Sequence, residues 1–205
     1  MKTFIPNQYG TIRLFIIMMI LVFFFIVPIV RTNAVEVGDV IYFEGFESAN
    51  TLKQNGDVTF ARTKDYAATG MYSLSVAPTA ANNYSGVALR NDFLETPMLP
   101  GGKYKLTAKA FSAKDATLGV RVETKDSSGG NTYGIVGMVK APLAAGQWVD
   151  VTMNFAVPAD HESVTAIVFH NDDQIPDLLF YLDEVKLEVA GLPEPVEEPE
   201  ITELF

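Results

Sequence analysis

Residues 103 to 111 read KYKLTAKAF, and their order decides the fold class. Tyr104, Leu106, Ala108 and Ala110 alternate with Lys103, Lys105, Thr107 and Lys109. Successive side chains of a strand point to opposite faces, so this period of two gives one apolar and one solvated face, and a helix would repeat differently. The stretch predicts a half-buried β-strand. The same alternation sets Val120 and Val122 against Arg121 and Glu123, and Val149, Val151, Met153 and Phe155 against Asp150, Thr152 and Asn154. Turn-forming clusters fall between the strands: Asn55-Gly56-Asp57, Pro100-Gly101-Gly102, Asp126 to Asn131, Ala145-Gly146 and Pro158-Ala159-Asp160. Nine or ten short strands without an amphipathic helix predict an all-β fold, a jelly-roll β-sandwich of two antiparallel sheets.

The ends of the chain read differently. Lys2 and Arg13 precede an apolar run of fourteen residues from Leu14 to Val27, followed by Pro28 and the small residues of Thr32-Asn33-Ala34. That order predicts a secretory signal peptide over residues 1–34, and an uncleaved anchor is the alternative. Its removal leaves 12 basic residues against 25 acidic ones, a formal charge of −13. Nucleic acid and anionic membrane are poor partners for such a surface, because both demand a basic stripe. The remaining residues 35–190 suffice for one domain with its own core, which suits the absence of cysteine in an exported chain. From residue 191 the sequence turns to proline and glutamate, so 191–205 reads as an extended acidic linker toward a downstream module.

Five stretches in order, IYFEGFES (41–48), AATGMYSLSV (67–76), PGGKYKLTAKAF (100–111), GQWVDVTMNFAVPAD (146–160) and FYLDEVKLEV (180–189), resemble the carbohydrate-binding modules of the family 4, 9 and 22 superfamily. The resemblance covers residues 39 to 190 and is strongest to the family 22 modules that accompany xylanases. It implies a sandwich that binds xylan or β-glucan on a concave face, a structural calcium ion, no catalysis of its own, and an attached glycoside hydrolase. The expected state is a monomeric, secreted module.

The resemblance also implies site residues. AANNYSG (80–86) stands where the family has RTxxWxG, so Tyr84 corresponds to the stacking tryptophan; DSSGGNTY (126–133) makes Tyr133 the second binding aromatic. A sugar ring has an apolar C–H face that stacks on an aromatic ring and hydroxyls that need polar partners, and Tyr84 has no apolar neighbour that would give it a core to join. Asn55 stands where the family has an arginine, and Ala80 where it has another. On the strand near residue 167 the outward residues are expected to be Thr165, Ile167, Phe169 and Asn171, with Phe169 and Asn171 as further sugar contacts. The matching calcium ligands are Glu47 and Asp183, with Glu44 additional. Asp183 shares parity with Val185 and Leu187, which predicts a carboxylate aimed at the interior, where a cation would relieve the cost of its charge.

Catalytic readings find little support. Asp172 and Asp173 are neighbours and point apart, unlike a glycosidase pair. His161 sits in a turn, His170 at a strand end, and no cysteine is present. Trp148, the single tryptophan, reads as core. A structural or adhesion module on the same sandwich is the rival reading, and fold alone does not choose between them.

Overall fold

The computed structural model describes residues 34–79 and 84–194. The signal-peptide reading, up to residue 33, and the linker from residue 195 lie outside the described residues, as do Ala80 to Asn83. Among the described residues no helix is long and apolar enough to cross a membrane.

Among the described residues eleven strands are present where the alternation predicts nine or ten: β1 (Val40–Glu44), β2 (Lys53–Asn55), β3 (Val58–Thr63), β4 (Ser73–Pro78), β5 (Gly86–Arg90), β6 (Lys103–Ser112), β7 (Ala116–Lys125), β8 (Asn131–Leu143), β9 (Gln147–Ala156), β10 (Ser163–Asn171) and β11 (Phe180–Gly191). A 3-10 turn, Asn91–Phe93, follows β5. One sheet has the order β3-β4-β11-β6-β9, with β1 also paired to β11, and the other has the order β2-β5-β10-β7-β8. The described pairings are antiparallel. The core lies between the sheets, as the jelly-roll sandwich requires. Leu74, Leu106, Val151, Met153, Leu182 and Leu187 of the six-stranded sheet meet Val87, Leu89, Val120, Val122, Ile167 and Phe169 of the five-stranded one. Removing one of the large buried rings, such as Phe169, would cost about 3–5 kcal/mol.

Two parities differ from the sequence reading. In β11 the pairing with β6 shifts between Asp183 and Lys186, and Glu184 at the shift has a φ of 48°. A bulge of this kind resets which residues face inward. Leu182 and Val185 therefore both point into the core, while Asp183 pairs with Lys109 on the outer face. It is fully buried there, beneath the 68–69 segment rather than between the sheets. In β10, where both parities are apolar, the larger Ile167 and Phe169 take the core and the smaller Ala166 and Val168 face outward. Trp148 also departs from expectation: it is half-buried on the outer face of the six-stranded sheet, 5.5 Å from the Phe111 ring, in a separate cluster with Tyr66 and Tyr181.

Candidate functional site

Directly paired residues of antiparallel strands share a face. On the outer face of the five-stranded sheet this generates three neighbouring rows. The first runs Asn55, Gly86, His170, Gly119, Lys140; the second Lys53, Ala88, Val168, Arg121, Met138; the third Arg90, Ala166, Glu123, Tyr133. The middle of every row is small or flat, and Ala88, Ala166 and Val168 form a buried patch of their own. The result is a low floor flanked by charged and aromatic side chains.

Tyr84 and Tyr133 stand on one flank, 46% and 57% exposed. Arg121 joins them. Its guanidinium carbon lies 3.7 Å from the centroid of Tyr84 and 5.3 Å from that of Tyr133. Such cation–π contacts fix ring orientation as well as adding attraction. Glu123 accepts from Arg121 Nε at 3.0 Å and from Nη2 at 2.5 Å, holding a side chain that is only 5% exposed. Each tyrosine thus keeps an open surface while its position is set by a buried ion pair.

Local sequence explains both positions. Asn55 Nδ2 donates to the Tyr84 carbonyl at 2.7 Å, tying the Tyr84 segment to β2. Ahead of Tyr133, Asp126 Oδ1 accepts from the Ser128 hydroxyl and from the Ser128 and Gly130 N–H groups, which closes the turn and holds the Asp126 carboxyl below the usual carboxylate range. Between Tyr133 and Met138, β8 loops out of register, with Gly134 at a φ of 73°. A side chain there would be strained.

His170 forms the floor beside Tyr84, their rings edge-on with centroids 5.1 Å apart. A Cβ on Gly119 would fall 2.1 Å from the imidazole, so only glycine leaves room for it. Neither ring nitrogen of His170, nor Arg121 Nη1, has a hydrogen-bond partner among the described residues. Burial, reinforced by Arg121, holds the imidazole at about 4, so it is neutral at pH 7 and offers one donor and one acceptor. Lys140 and Asp172, 2.8 Å apart, close this end of the face.

The expected sugar contacts divide. Tyr84 and Tyr133 come together. Asn55 supports Tyr84 through its backbone. Phe169 is fully buried in the core and presents no face to a ligand, a correction that follows from the parity of β10. Asn171, also buried, donates to the Ile175 carbonyl and accepts from the Asp173 N–H, so its amide is spent on the turn after β10. Sequence reasoning missed Arg121, Glu123 and the floor position of His170. The signal for the first two was present in the polar parity of β7.

The three acidic residues also divide. Asp183 accepts from the N–H groups of Ala68, Thr69 and Glu184, and Glu47 Oε1 accepts from those of Met71 and Tyr72. Both therefore clamp the 68–72 loop. Burial pushes the Asp183 carboxyl up despite its three donors, so this anion is incompletely compensated; Glu47 is held low by its two N–H bonds. Asp183, the under-compensated buried carboxylate, is the group whose charge a cation would relieve; calcium takes six to eight oxygens, of which Asp183 and Glu47 would supply only the carboxylates. Glu44 does not join them. Its oxygens accept from the Phe46 N–H and from the N–H and hydroxyl of Thr51, which shapes the turn after β1. Among the described residues no three acidic or histidine side chains gather.

A groove of about 460 Å³ opens on the other sheet's outer face, along Phe43, Thr107, Lys109, Asp150, Thr152 and Lys186. Lys109 and Asp150 pair across it at 2.7 Å, and Phe43 is its one aromatic ring. Paired aromatic surfaces distinguish the Tyr84 face from it.

The profile of a family described as carbohydrate binding domain matches residues 38–174. Among solved structures, the fold is similar to the CBM22-1 xylan-binding domain of Xyn10C from Paenibacillus barcinonensis, at 19% identity and a TM-score of 0.68, covering 78% of this chain and 99% of that one. It is similar to the C-terminal family 22 carbohydrate binding module of Xyn10B from Clostridium thermocellum, at 23% identity and a TM-score of 0.59, covering 77% and 97%. A xylan-binding domain from CBM 22 is 26% identical with a TM-score of 0.58, covering 76% and 97%. No curated protein matches the sequence.

Proposed function

Because the chain belongs to the carbohydrate binding domain family, we propose that it binds plant cell-wall polysaccharide, xylan or β-glucan, on the outer face of its five-stranded sheet and delivers an attached glycoside hydrolase to it. The observation that carries this is the pair of open tyrosine rings gathered around one buried, ion-paired arginine. Sugar C–H faces stack on Tyr84 and Tyr133, and the hydroxyls find polar groups of the same rows. The similar modules named above are described as xylan-binding, which favours xylan as the first glycan to try. Holding an enzyme on an insoluble polymer raises its effective concentration there, with no chemistry required of the module.

Native electrophoresis through gels containing soluble xylan, β-glucan or an unrelated polymer tests the reading. Retardation by xylan or β-glucan alone is expected, and Tyr84→Ala and Tyr133→Ala should each migrate faster, their affinity reduced by roughly tenfold on loss of a stacking ring. Equal mobility in all gels would return the molecule to the class of structural modules.

Calcium at Glu47 and Asp183 belongs to the same proposal. When bound it would supply countercharge to Asp183 and fix the 68–72 loop, with Glu47 and Asp183 as its carboxylate ligands. A ligand that binds only the folded state at a hundred times its Kd adds about 2.7 kcal/mol. Chelation should therefore lower the melting temperature of the wild type and leave that of Asp183→Asn unmoved; an unchanged wild-type value would eliminate the ion.

A further inference from the structure

Phe93, in the turn after β5, is 60% exposed and has no place in the core. The Lys53 ammonium lies 4.5 Å from its ring centroid. Lys53 belongs to the same row as Arg121, with Ala88 and Val168 between them. The two flanks of the floor are thus built alike: an aromatic ring with a row cation against it and surface left open to solvent. Polar groups lie beside Phe93 as they do beside Tyr84. Arg90 and Asp92 are 3.9 Å apart with side chains 47% and 69% exposed, too loosely paired to be committed to each other, and a cleft of about 320 Å³ adjoins them along Asn91, Lys125 and Ser163.

Resting on the glycan-binding reading above, we propose that Phe93 is a further sugar platform, so that the ligand crosses the floor and is recognised as a chain of several sugar residues. Strands β2 and β7 are three positions apart in the sheet, roughly 14 Å at the usual strand spacing. That span needs an oligosaccharide longer than a disaccharide. Between the flanks Ala88, Ala166 and Val168 are small and buried beneath the flanking side chains, so no large residue stands up from β5 or β10 to block an extended chain that crosses on those side chains.

Calorimetric titration with xylobiose, xylohexaose and cellohexaose, on the wild type and on Phe93→Ala, tests the inference. The wild type should bind at least one hexaose more tightly than xylobiose. Phe93→Ala should lose roughly fivefold in affinity for that hexaose, with xylobiose affinity and melting temperature unchanged, because the ring is exposed. Phe93→Trp should restore or exceed wild-type affinity. Hexaose affinity unchanged in Phe93→Ala, with Tyr84→Ala impaired, would overturn the third platform while leaving the tyrosine site standing. A wild type that binds none of the three sugars would remove the glycan reading and this inference with it.

Discussion

Arg121→Met is expected to lose carbohydrate binding and several kcal/mol of stability together. Arg121 is 5% exposed, and the Glu123 side chain it pairs with is 15% exposed. Deleting one partner of a buried pair strands the other charge, which costs about 3–5 kcal/mol. The same deletion removes the cation from beneath Tyr84 and beside Tyr133, so both rings lose what orients them. The double variant Arg121→Met/Glu123→Met separates the two effects. With no charge left stranded, its stability should return close to wild type, while retardation by xylan or β-glucan should remain lost. Denaturant melting of the three proteins, run beside the affinity gels, checks this. A single variant as stable as wild type would mean that Glu123 is solvated and the pair does not anchor the site.

The second large effect is a pH dependence carried by His170. Its imidazole is held at about 4 against an ordinary 6.5, chiefly by burial and then by Arg121, with Lys140 in the same sense and Asp172 opposing. Between those two values the unfolded chain binds more protons than the folded one, so stability rises with pH across that window. The contribution is complete above pH 6.5, is lost as the pH falls toward 4, and is flat below. At 1.36 kcal/mol per pKa unit it amounts to about 3 kcal/mol. Glu47 and Asp126, held low by hydrogen bonds, lose stability at still lower pH, whereas Asp183, pushed up by burial, acts in the opposite direction. The wild type therefore has to be read against His170→Gln, in which the other groups remain. Wild-type stability should fall more steeply than that of His170→Gln between pH 6.5 and 4; parallel curves would show that the imidazole protonates freely in the folded state.

How much of this was legible depended on whether a strand's two faces differ in chemistry. In β6 and in β9 from Val149 onward one parity is apolar and the other largely polar, and those stretches were readable residue by residue, whereas Trp148 at the start of β9 was not. In β10 both parities are apolar, so alternation did not separate Phe169 from Val168; the resemblance set Phe169 outward, and volume put it in the core through packing against the other sheet. In β11 a bulge at Glu184 reverses the parity of Asp183, which no alternation rule anticipates. Tyr84 was legible because nothing around it offered burial, and Tyr133 only through the family resemblance. Arg121 was not: it is 37 positions from Tyr84, and only the pairing of β5, β10 and β7 brings the two together. Asn55 and Asn171 were recognised as polar residues near the site, but their amides are committed to backbone groups.

Backbone amide NMR during titration with xylohexaose or cellohexaose locates directly whether a glycan lies on the Tyr84–Tyr133–Arg121 face. The largest shifts should fall on β5, β7, β8 and β10, around Tyr84, Arg121, Tyr133 and His170. Shifts confined to the opposite sheet, around Phe43, Lys109 and Asp150, would place the ligand in the other groove and contradict that expectation.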